Sequence, residues 1–325
     1  MTPPPCPITG EPARRLVQWV SAKLLVELWH RILQVDVRPS FAGTTRFGLW
    51  ESPTGLYFFD PMLEGDASFY NAFYRVLDDA EPRGLTGRLR RLATALGLPS
   101  RNTPRAEFRL AANHLSPGDS VLDVGCGPGV FRHLVPGGRY TGLDPHFGAD
   151  PGQPWASPET LSEHLRSGAR AYDVVSAFQV LEHVARPVAF LSEMAQAVRP
   201  GGTVIVGVPH VPSAATRIPN YLVNALPHHL TWWTAEALRA IAARVGLVDA
   251  QVETIPWSEL DNFIYWMARC SPVKCQQRHY AHRWSWHASA LLGLGGALAI
   301  QCLRRAPPIN DEGVGLLLVA RKPGG

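Results

Sequence analysis

The chain has 325 residues, of which 46% are hydrophobic, enough for one large domain with additions or for two small domains. Its 31 basic residues against 27 acidic ones give only a mild positive balance, which argues against a nucleic-acid-binding protein. Five irregularly spaced cysteines argue against a disulfide framework, and residues 1–5 (MTPPP) do not resemble a signal sequence, so a cytoplasmic location is expected.

Residues 1–103 are predicted to form an N-terminal cap. Leu24, Leu28 and Ile32 recur at helical spacing and predict a helix over 21–34. The aromatic run over 68–77 predicts a second helix, which either packs in the core or forms a lid from which Tyr70 or Tyr74 reaches a ligand. A third helix, over 85–98, carries leucines on one face and arginines on the other.

Residues 104–325 are predicted to form the second domain, after a proline-containing joint at 98–104. Apolar runs predict strands near 120–124, 139–143, 173–178 and 203–208, and helical patterns between and after them predict helices near 129–134, 186–198 and 234–245. Two further strands are predicted at 248–254 and 314–320. This alternation predicts an α/β, doubly wound sheet that binds ligands at the carboxyl ends of its strands.

A glycine-rich turn follows the first of these strands, in the sequence VLDVGCGPG at 121–129. Gly125, Gly127 and Gly129 let the backbone approach a bulky ligand, although such turns also serve as plain connectors. Asp123 precedes the turn, and Asp144 ends the next strand, where a ribose would lie. A dinucleotide-binding turn would need glycine or alanine at position 130, but the chain has Val130.

With three further segments, this turn resembles the class I S-adenosylmethionine-dependent methyltransferases, in particular their ubiquinone-pathway-like branch. The further segments are 172–184 (YDVVSAFQVLEHV), 198–206 (VRPGGTVIV) and 227–234 (PHHLTWWT). The resemblance implies a Rossmann-like seven-stranded sheet with a closing antiparallel hairpin, and S-adenosyl-L-methionine as cofactor. The implied cofactor-binding residues are Asp123, Gly125, Cys126, Gly127, Gly129, Asp144, Phe178 and Gln179.

The acceptor side of such a site would contain Glu182, His183, His228 and His229, the candidate catalytic residues. A base is needed only if the acceptor loses a proton, and one of the two adjacent histidines could instead pack beneath the other. Glu182 and His183 could equally cap a helix. The expected function is methyl transfer to a small-molecule or lipid-like acceptor. The alternatives are a catalytically silent S-adenosylmethionine-binding protein and, less favoured because of Val130, a nicotinamide-dependent oxidoreductase.

Two segments depart from the family pattern. Residues 147–171 show no clear third strand, so no motif position identifies the residue that contacts the adenine, and Asp150 and Trp155 are its candidates. Related methyltransferases often carry an N-terminal zinc knuckle with four cysteines, of which only Cys6 remains here. A structural zinc site needs about four ligands, so no metal is expected in this knuckle-like segment or elsewhere.

The insertion 257–312 separates the two strands of the closing hairpin. Cys270, Cys275, His279 and His282 could bind zinc, but their spacing fits no common finger. Residues 288–300 form an apolar stretch of about 20 Å as a helix, too short to cross the ~30 Å hydrocarbon layer. Flanking tryptophans and arginines instead suggest contact with a membrane surface or a cover over an apolar acceptor, and the alternative is packing on the cap.

Overall fold

The computed structural model describes residues 2–78, 105–145, 154–168, 171–276, 278–303 and 313–324. The helix predicted over 85–98 and the adenine candidate Asp150 lie outside these residues. The described chain contains a seven-stranded sheet and a four-stranded sheet, which share no strand.

The larger sheet has the predicted doubly wound arrangement. Its strands, in chain order, are β4 (Val121–Val124), β5 (Tyr140–Leu143), β6 (Ala156–Ser157), β7 (Tyr172–Phe178), β8 (Val198–Pro209), β10 (Val248–Thr254) and β11 (Gly315–Arg321). The spatial order is β10-β11-β8-β7-β4-β5-β6. Strands β6, β5, β4, β7 and β8 are parallel, and β11 runs antiparallel to both neighbours. The carboxyl ends of the parallel strands therefore meet at one edge.

The third strand, which the sequence did not reveal, is present as β6. It is two residues long and pairs with Gly142 and Leu143 of β5. The backbone N–H of Asp144 donates to the carbonyl of Ser157 at 3.0 Å, which ties the strand to the tip of β5. A strand this short at the edge of a sheet needs no apolar run, and for that reason no sequence pattern marked it.

Helices cover both faces of this sheet, and the two longest of them lie close to the helices predicted near 186–198 and 234–245. They are α3 (Ala106–Ala112), α4 (Leu161–Arg166), α5 (Pro187–Ala197) and α6 (Ala235–Arg244). Residues Val130–Leu134 form a short 3-10 helix rather than an α-helix. Thr234 caps α6, because its hydroxyl accepts a hydrogen bond from the backbone N–H of Ala237 at 3.1 Å.

The N-terminal part contains two of its three predicted helices, α1 (Ala22–Leu33) and α2 (Ala67–Asp78), and an antiparallel sheet that was not predicted. The order of this sheet is β1 (Arg15–Ser21), β2 (Arg46–Glu51), β3 (Tyr57–Asp60) and β9 (Thr231–Trp232). Its last strand comes from the segment after β8, so the cap is built from two distant stretches of chain. Backbone pairing of β3 with β9 fixes that segment against the cap.

The insertion forms two helices, α7 (Glu259–Cys270) and α8 (Trp284–Cys302), which pack against each other. The described helices include no segment both long enough and apolar enough to cross a bilayer. In α8, the buried positions Trp286, Ser289, Gly293, Ala297 and Gln301 recur along one face. The Ser289 hydroxyl bonds to that of Ser271 at 2.6 Å, which fixes α8 to the end of α7.

Candidate active site

The glycine-rich turn has the left-handed backbone that its sequence requires. The φ angles of Gly125, Gly127 and Gly129 are +75°, +50° and +69°. A Cβ added to Gly125 would lie 2.4 Å from Val180, and one added to Gly129 would lie 2.2 Å from the Trp155 ring. A Cβ added to Gly127 would meet nothing within 4 Å. Gly127 is therefore the glycine of this turn that borders open space.

Asp144 holds the turn in place from the tip of β5. Its Oδ2 accepts a hydrogen bond from the backbone N–H of Gly127 at 2.9 Å. The N–H groups of Gly125 and Cys126 donate to the carbonyl of Leu143 at 2.7 and 3.2 Å. The Cys126 side chain is buried, and burial raises the pKa of its thiol, so it stays protonated. The predicted pairing of the turn with the strand-tip acid is thus realised in the fold.

Asp123 lies beneath the turn with its carboxyl only 2% exposed. It accepts a hydrogen bond from the Tyr140 hydroxyl at 2.7 Å and another from the Ser176 hydroxyl at 2.9 Å. Burial raises the pKa of this carboxyl to about 6 in spite of these bonds. The carboxyl therefore links β4 to β5 and β7, and its contact with the cofactor stays a prediction.

Phe178 ends β7, Gln179 follows it, and their side chains point in different directions. The Phe178 ring packs in the core against Phe108 and Phe131, at centroid distances of 5.0 and 4.8 Å. Gln179 has a φ of +59°, and its side-chain amide donates to Oε2 of Glu107 at 3.0 Å. Side-chain binding of the cofactor therefore suits Gln179 better than Phe178, and both assignments stay predictions.

Glu107 is a residue that the sequence analysis missed. It lies in α3, is 5% exposed, and pairs with Arg105 at 2.8 Å. Burial raises the pKa of its carboxyl. The sequence shows only an acidic residue next to Phe108 in a short helical segment. That this helix lies against the end of β7 is visible only in the fold.

The candidate catalytic histidines form one cluster, although they come from two segments. His183 ends the turn Leu181–His183 after β7, and His228 and His229 precede β9. The ring centroids of each pair are 4.5 to 4.9 Å apart. The backbone N–H of Leu230 donates to the carbonyl of Glu182 at 2.8 Å, which joins the segments.

Glu182 lies against this cluster and is 1% exposed. Its Oε1 is 3.8 Å from Nε2 of His183 and 3.9 Å from Nε2 of His229, and neither carboxyl oxygen has a hydrogen-bond partner. These separations are within ion-pair range, but burial raises the pKa of Glu182 to about 8 and lowers that of His183 to about 4. Burial also holds the pKa values of His228 and His229 well below the usual range. Burial thus favours the neutral carboxyl of Glu182 and the neutral imidazoles of the histidines. Each unpaired buried polar atom lowers the stability of the fold by about 1–3 kcal/mol.

Helix α2 covers the cluster. The Phe73 ring lies 4.5 Å from that of His228, and the Tyr70 ring lies 6.1 Å from that of His183, centroid to centroid. Tyr70 is 8% exposed. Helix α2 therefore packs in the core, which is one interpretation of the aromatic run, and the same core forms a wall of the candidate site. Contact of this helix with a ligand stays a prediction.

The suggested zinc ligands of the insertion are not brought together. Among the described residues, one group of three ligating side chains converges, and it consists of His183, His228 and His229. The Cys275 thiol lies 3.9 Å from the carbonyl oxygen of His279, and His282 pairs with Glu27 at 3.2 Å. Cys6 is buried, and its sulfur accepts a hydrogen bond from the backbone N–H of Ile8 at 3.4 Å.

The family model for a methyltransferase domain matches residues 89–252, about half of the chain. The chain belongs to the S-adenosylmethionine-dependent methyltransferases. The cofactor of this family is S-adenosyl-L-methionine, and the matched residues include the glycine turn, Asp144 and the turn that carries Glu182 and His183.

Curated relatives include the ubiquinone biosynthesis O-methyltransferases of Sodalis glossinidius and Salmonella enteritidis. Each is 38% identical over 101 residues, which is 27% of this chain and 40% and 41% of the two relatives. The aligned part of the chain thus spans about two fifths of the relatives' length. Similar solved structures include a methyltransferase from Archaeoglobus fulgidus (19% identity, TM-score 0.43, 67% of this chain and 92% of that one) and a phosphoethanolamine N-methyltransferase from Haemonchus contortus (14%, 0.44, 77% and 60%).

Proposed function

We propose that this methyltransferase transfers a methyl group from S-adenosylmethionine to a small-molecule or lipid-like acceptor. The observation that carries the proposal is the glycine turn whose Gly127 amide is bonded to Asp144 and whose Gly127 α-carbon faces open space. The cofactor would supply a strongly electrophilic methyl group, so the protein has mainly to align the acceptor and exclude water.

The residues present fit the cofactor. The carboxylate of Asp144 suits the ribose hydroxyls, and the open face of Gly127 admits a close backbone approach. The buried pair of Glu107 and Gln179 at the end of β7 suits the positively charged methionine end.

On the acceptor side we place the histidine cluster, defined as His183, His228 and His229, together with Glu182. His183 of this cluster lies three residues beyond Val180, which contacts the glycine turn, and α2 shields the cluster from solvent. We propose that these residues position the acceptor and, where it carries a proton, receive that proton. The aromatic wall formed by Phe73 and Tyr70 suits an acceptor with an apolar part.

The test is calorimetry with S-adenosylmethionine and NAD on the parent, Asp144→Ala and the control Asp36→Ala. Loss of a carboxylate that pairs with ribose hydroxyls costs about 1.5–3 kcal/mol, so Asp144→Ala should weaken cofactor binding by roughly one to two orders of magnitude. Asp36 is exposed and pairs with Arg38 in the cap, so Asp36→Ala should leave the affinity for the cofactor unchanged. Equal affinity in all three proteins, or tight NAD binding, would overturn the assignment.

We also propose that the insertion rests on a membrane surface through α8. Its outer face exposes Trp284, Leu291, Leu292 and Leu303 by 59–80%, and Arg283 beside it is exposed. Exposed tryptophan and leucine next to arginine suit the interface of an anionic bilayer. Such contact would bring a lipid-like acceptor to the enzyme.

Sedimentation with phosphatidylserine-containing vesicles tests this contact. The parent should pellet at low salt, and Leu291→Glu with Leu292→Glu should reduce binding by roughly 10-fold or more, because two inserted side chains become charged. Ile32→Glu with Val248→Glu is the matched control, since both residues are exposed elsewhere. A parent protein that stays in the supernatant at low salt would contradict the proposal.

A further inference from the structure

We propose that the histidine cluster and Glu182 bind one divalent transition-metal ion, of which Zn²⁺ is the probe. This site lies on the acceptor side of the proposed methyltransferase, but metal binding does not depend on methyl transfer. The sequence predicted no metal. The four donor residues of this site come from two segments, and neither segment has the residue spacing of a metal-binding motif.

The hydrogen bonds of the imidazole rings leave nitrogens available for an ion. Nδ1 of His183 donates to the carbonyl of His228 at 2.5 Å, and Nδ1 of His228 donates to the carbonyl of Val223 at 2.8 Å. A proton on Nδ1 leaves a lone pair on Nε2, and a backbone carbonyl is the usual partner that orients a metal-binding imidazole. One ligating atom from each histidine of the cluster lies within 4.8 Å of the other two.

Glu182 is the second, independent observation. Its side chain is 1% exposed, and both of its oxygens lack a hydrogen-bond partner. Oε1 is 3.8 and 3.9 Å from Nε2 of His183 and His229, too far for a hydrogen bond to either ring. A small ion between them would contact these atoms at about 2.0–2.2 Å after a small inward shift.

The donor set selects the class of metal. Imidazole nitrogen suits Zn²⁺, Fe²⁺ and Ni²⁺, whereas Mg²⁺ and Ca²⁺ prefer oxygen ligands. Three imidazoles, with the Glu182 carboxylate beside two of them, would complete a tetrahedral shell, which is typical of a closed structural site. In the ion-bound protein these residues would therefore act as metal ligands and not as proton acceptors. The ion would therefore clamp the segment before β9 to the turn Leu181–His183, beneath the cover of α2.

The experiment uses the full chain, stripped with a chelator and titrated with Zn²⁺ against a chromophoric competitor. The parent should bind one equivalent, and Co²⁺ should give the visible absorption bands of a tetrahedral site. Glu182→Gln, a near-isosteric change, and His229→Ala should each weaken Zn²⁺ binding by about 100-fold or more. Mg²⁺ should not compete.

The matched control is His164→Gln. His164 is also a buried histidine beside a carboxylate, with Glu159 at 3.1 Å and the Tyr172 hydroxyl at 2.9 Å, but it lies outside the cluster. This variant should bind Zn²⁺ as the parent does. If His229→Ala does not fold, Glu182→Gln and the Co²⁺ spectrum of the parent decide the outcome.

Absence of stoichiometric Zn²⁺ binding, or equal loss in His164→Gln and Glu182→Gln, would overturn the metal site. Titration of the same stripped protein with S-adenosylmethionine separates the two proposals. Zn²⁺ binding without cofactor binding would sink only the proposed function, and cofactor binding without Zn²⁺ binding would sink only the metal site.

Discussion

A substitution at Gly127 tests whether the cofactor occupies the open space beside the turn, separately from the effect of backbone strain. We expect Gly127→Ala to weaken S-adenosylmethionine binding by roughly two orders of magnitude, about 2.7 kcal/mol, because its Cβ would occupy the open face of the turn. The left-handed φ should cost about 1–2 kcal/mol of stability, so the fold should persist. Calorimetry and denaturant unfolding give the two quantities.

Gly138→Ala is the matched control for this prediction. Gly138 has a φ of +71°, and a Cβ added there also meets nothing within 4 Å, but it lies in the turn before β5. It should lose similar stability and keep its cofactor affinity. If the two variants bind the cofactor equally well, the open face of Gly127 is not the cofactor site.

Asp123 predicts a pH dependence of stability. Its pKa is about 6 in the fold and near 3.8 in the unfolded chain, so the fold favours the protonated carboxyl. The stabilisation is therefore complete below about pH 4 and is lost as the pH rises through 6, by up to about 3 kcal/mol. Asp123→Asn should remove this contribution.

The measurement is the difference in unfolding free energy between parent and Asp123→Asn from pH 4 to 7, without cofactor. An asparagine can bond to the hydroxyls of both Tyr140 and Ser176, which reorient to suit it. The advantage of the parent should shrink as the pH rises. A difference that does not change with pH would show that Asp123 is ionised throughout.

At the scale of elements, two glycines of α8 should respond in opposite ways to alanine. A Cβ on Gly293 would lie 2.5 Å from the Met267 carbonyl oxygen, so Gly293→Ala must push α8 away from α7, at about 1–3 kcal/mol. A Cβ on Gly295 would meet nothing within 4 Å, so Gly295→Ala should stabilise the helix by about 0.5–1 kcal/mol. Urea unfolding of both variants checks the sign, and destabilisation by Gly295→Ala would contradict the packing.

The elements that the sequence revealed are those with a strong local signal. Helices α1 and α6 have amphipathic faces and N-terminal caps at Ser21 and Thr234, and both were predicted to within about one residue. Strand β6 and the pairing of β3 with β9 were missed. Each is a two-residue pairing set by the surrounding fold, so no periodicity in the sequence could reveal it.

At the scale of the whole molecule, the candidate site likewise has a part that local sequence signals revealed and a part that only the fold brings together. The glycine turn and Asp144 were predicted because β4 and β5 are neighbours with short connections. The sequence placed His183 and His228 at one edge of the sheet, but their contact depends on the cap, which presses the segment before β9 against β7. The approach of Glu107 to Gln179 depends likewise on how α3 packs.

Transfer of a labelled methyl group tests the central claim most directly. The parent and Asp144→Ala are incubated with S-adenosylmethionine carrying a trideuterated methyl group and a lipid-containing cell extract, and the small molecules are analysed by mass spectrometry. The parent should produce S-adenosylhomocysteine and a matching labelled product, and Asp144→Ala at subsaturating cofactor should produce roughly 10- to 100-fold less. Tight cofactor binding by the parent without any labelled product would contradict an enzymatic role and leave a silent cofactor-binding protein.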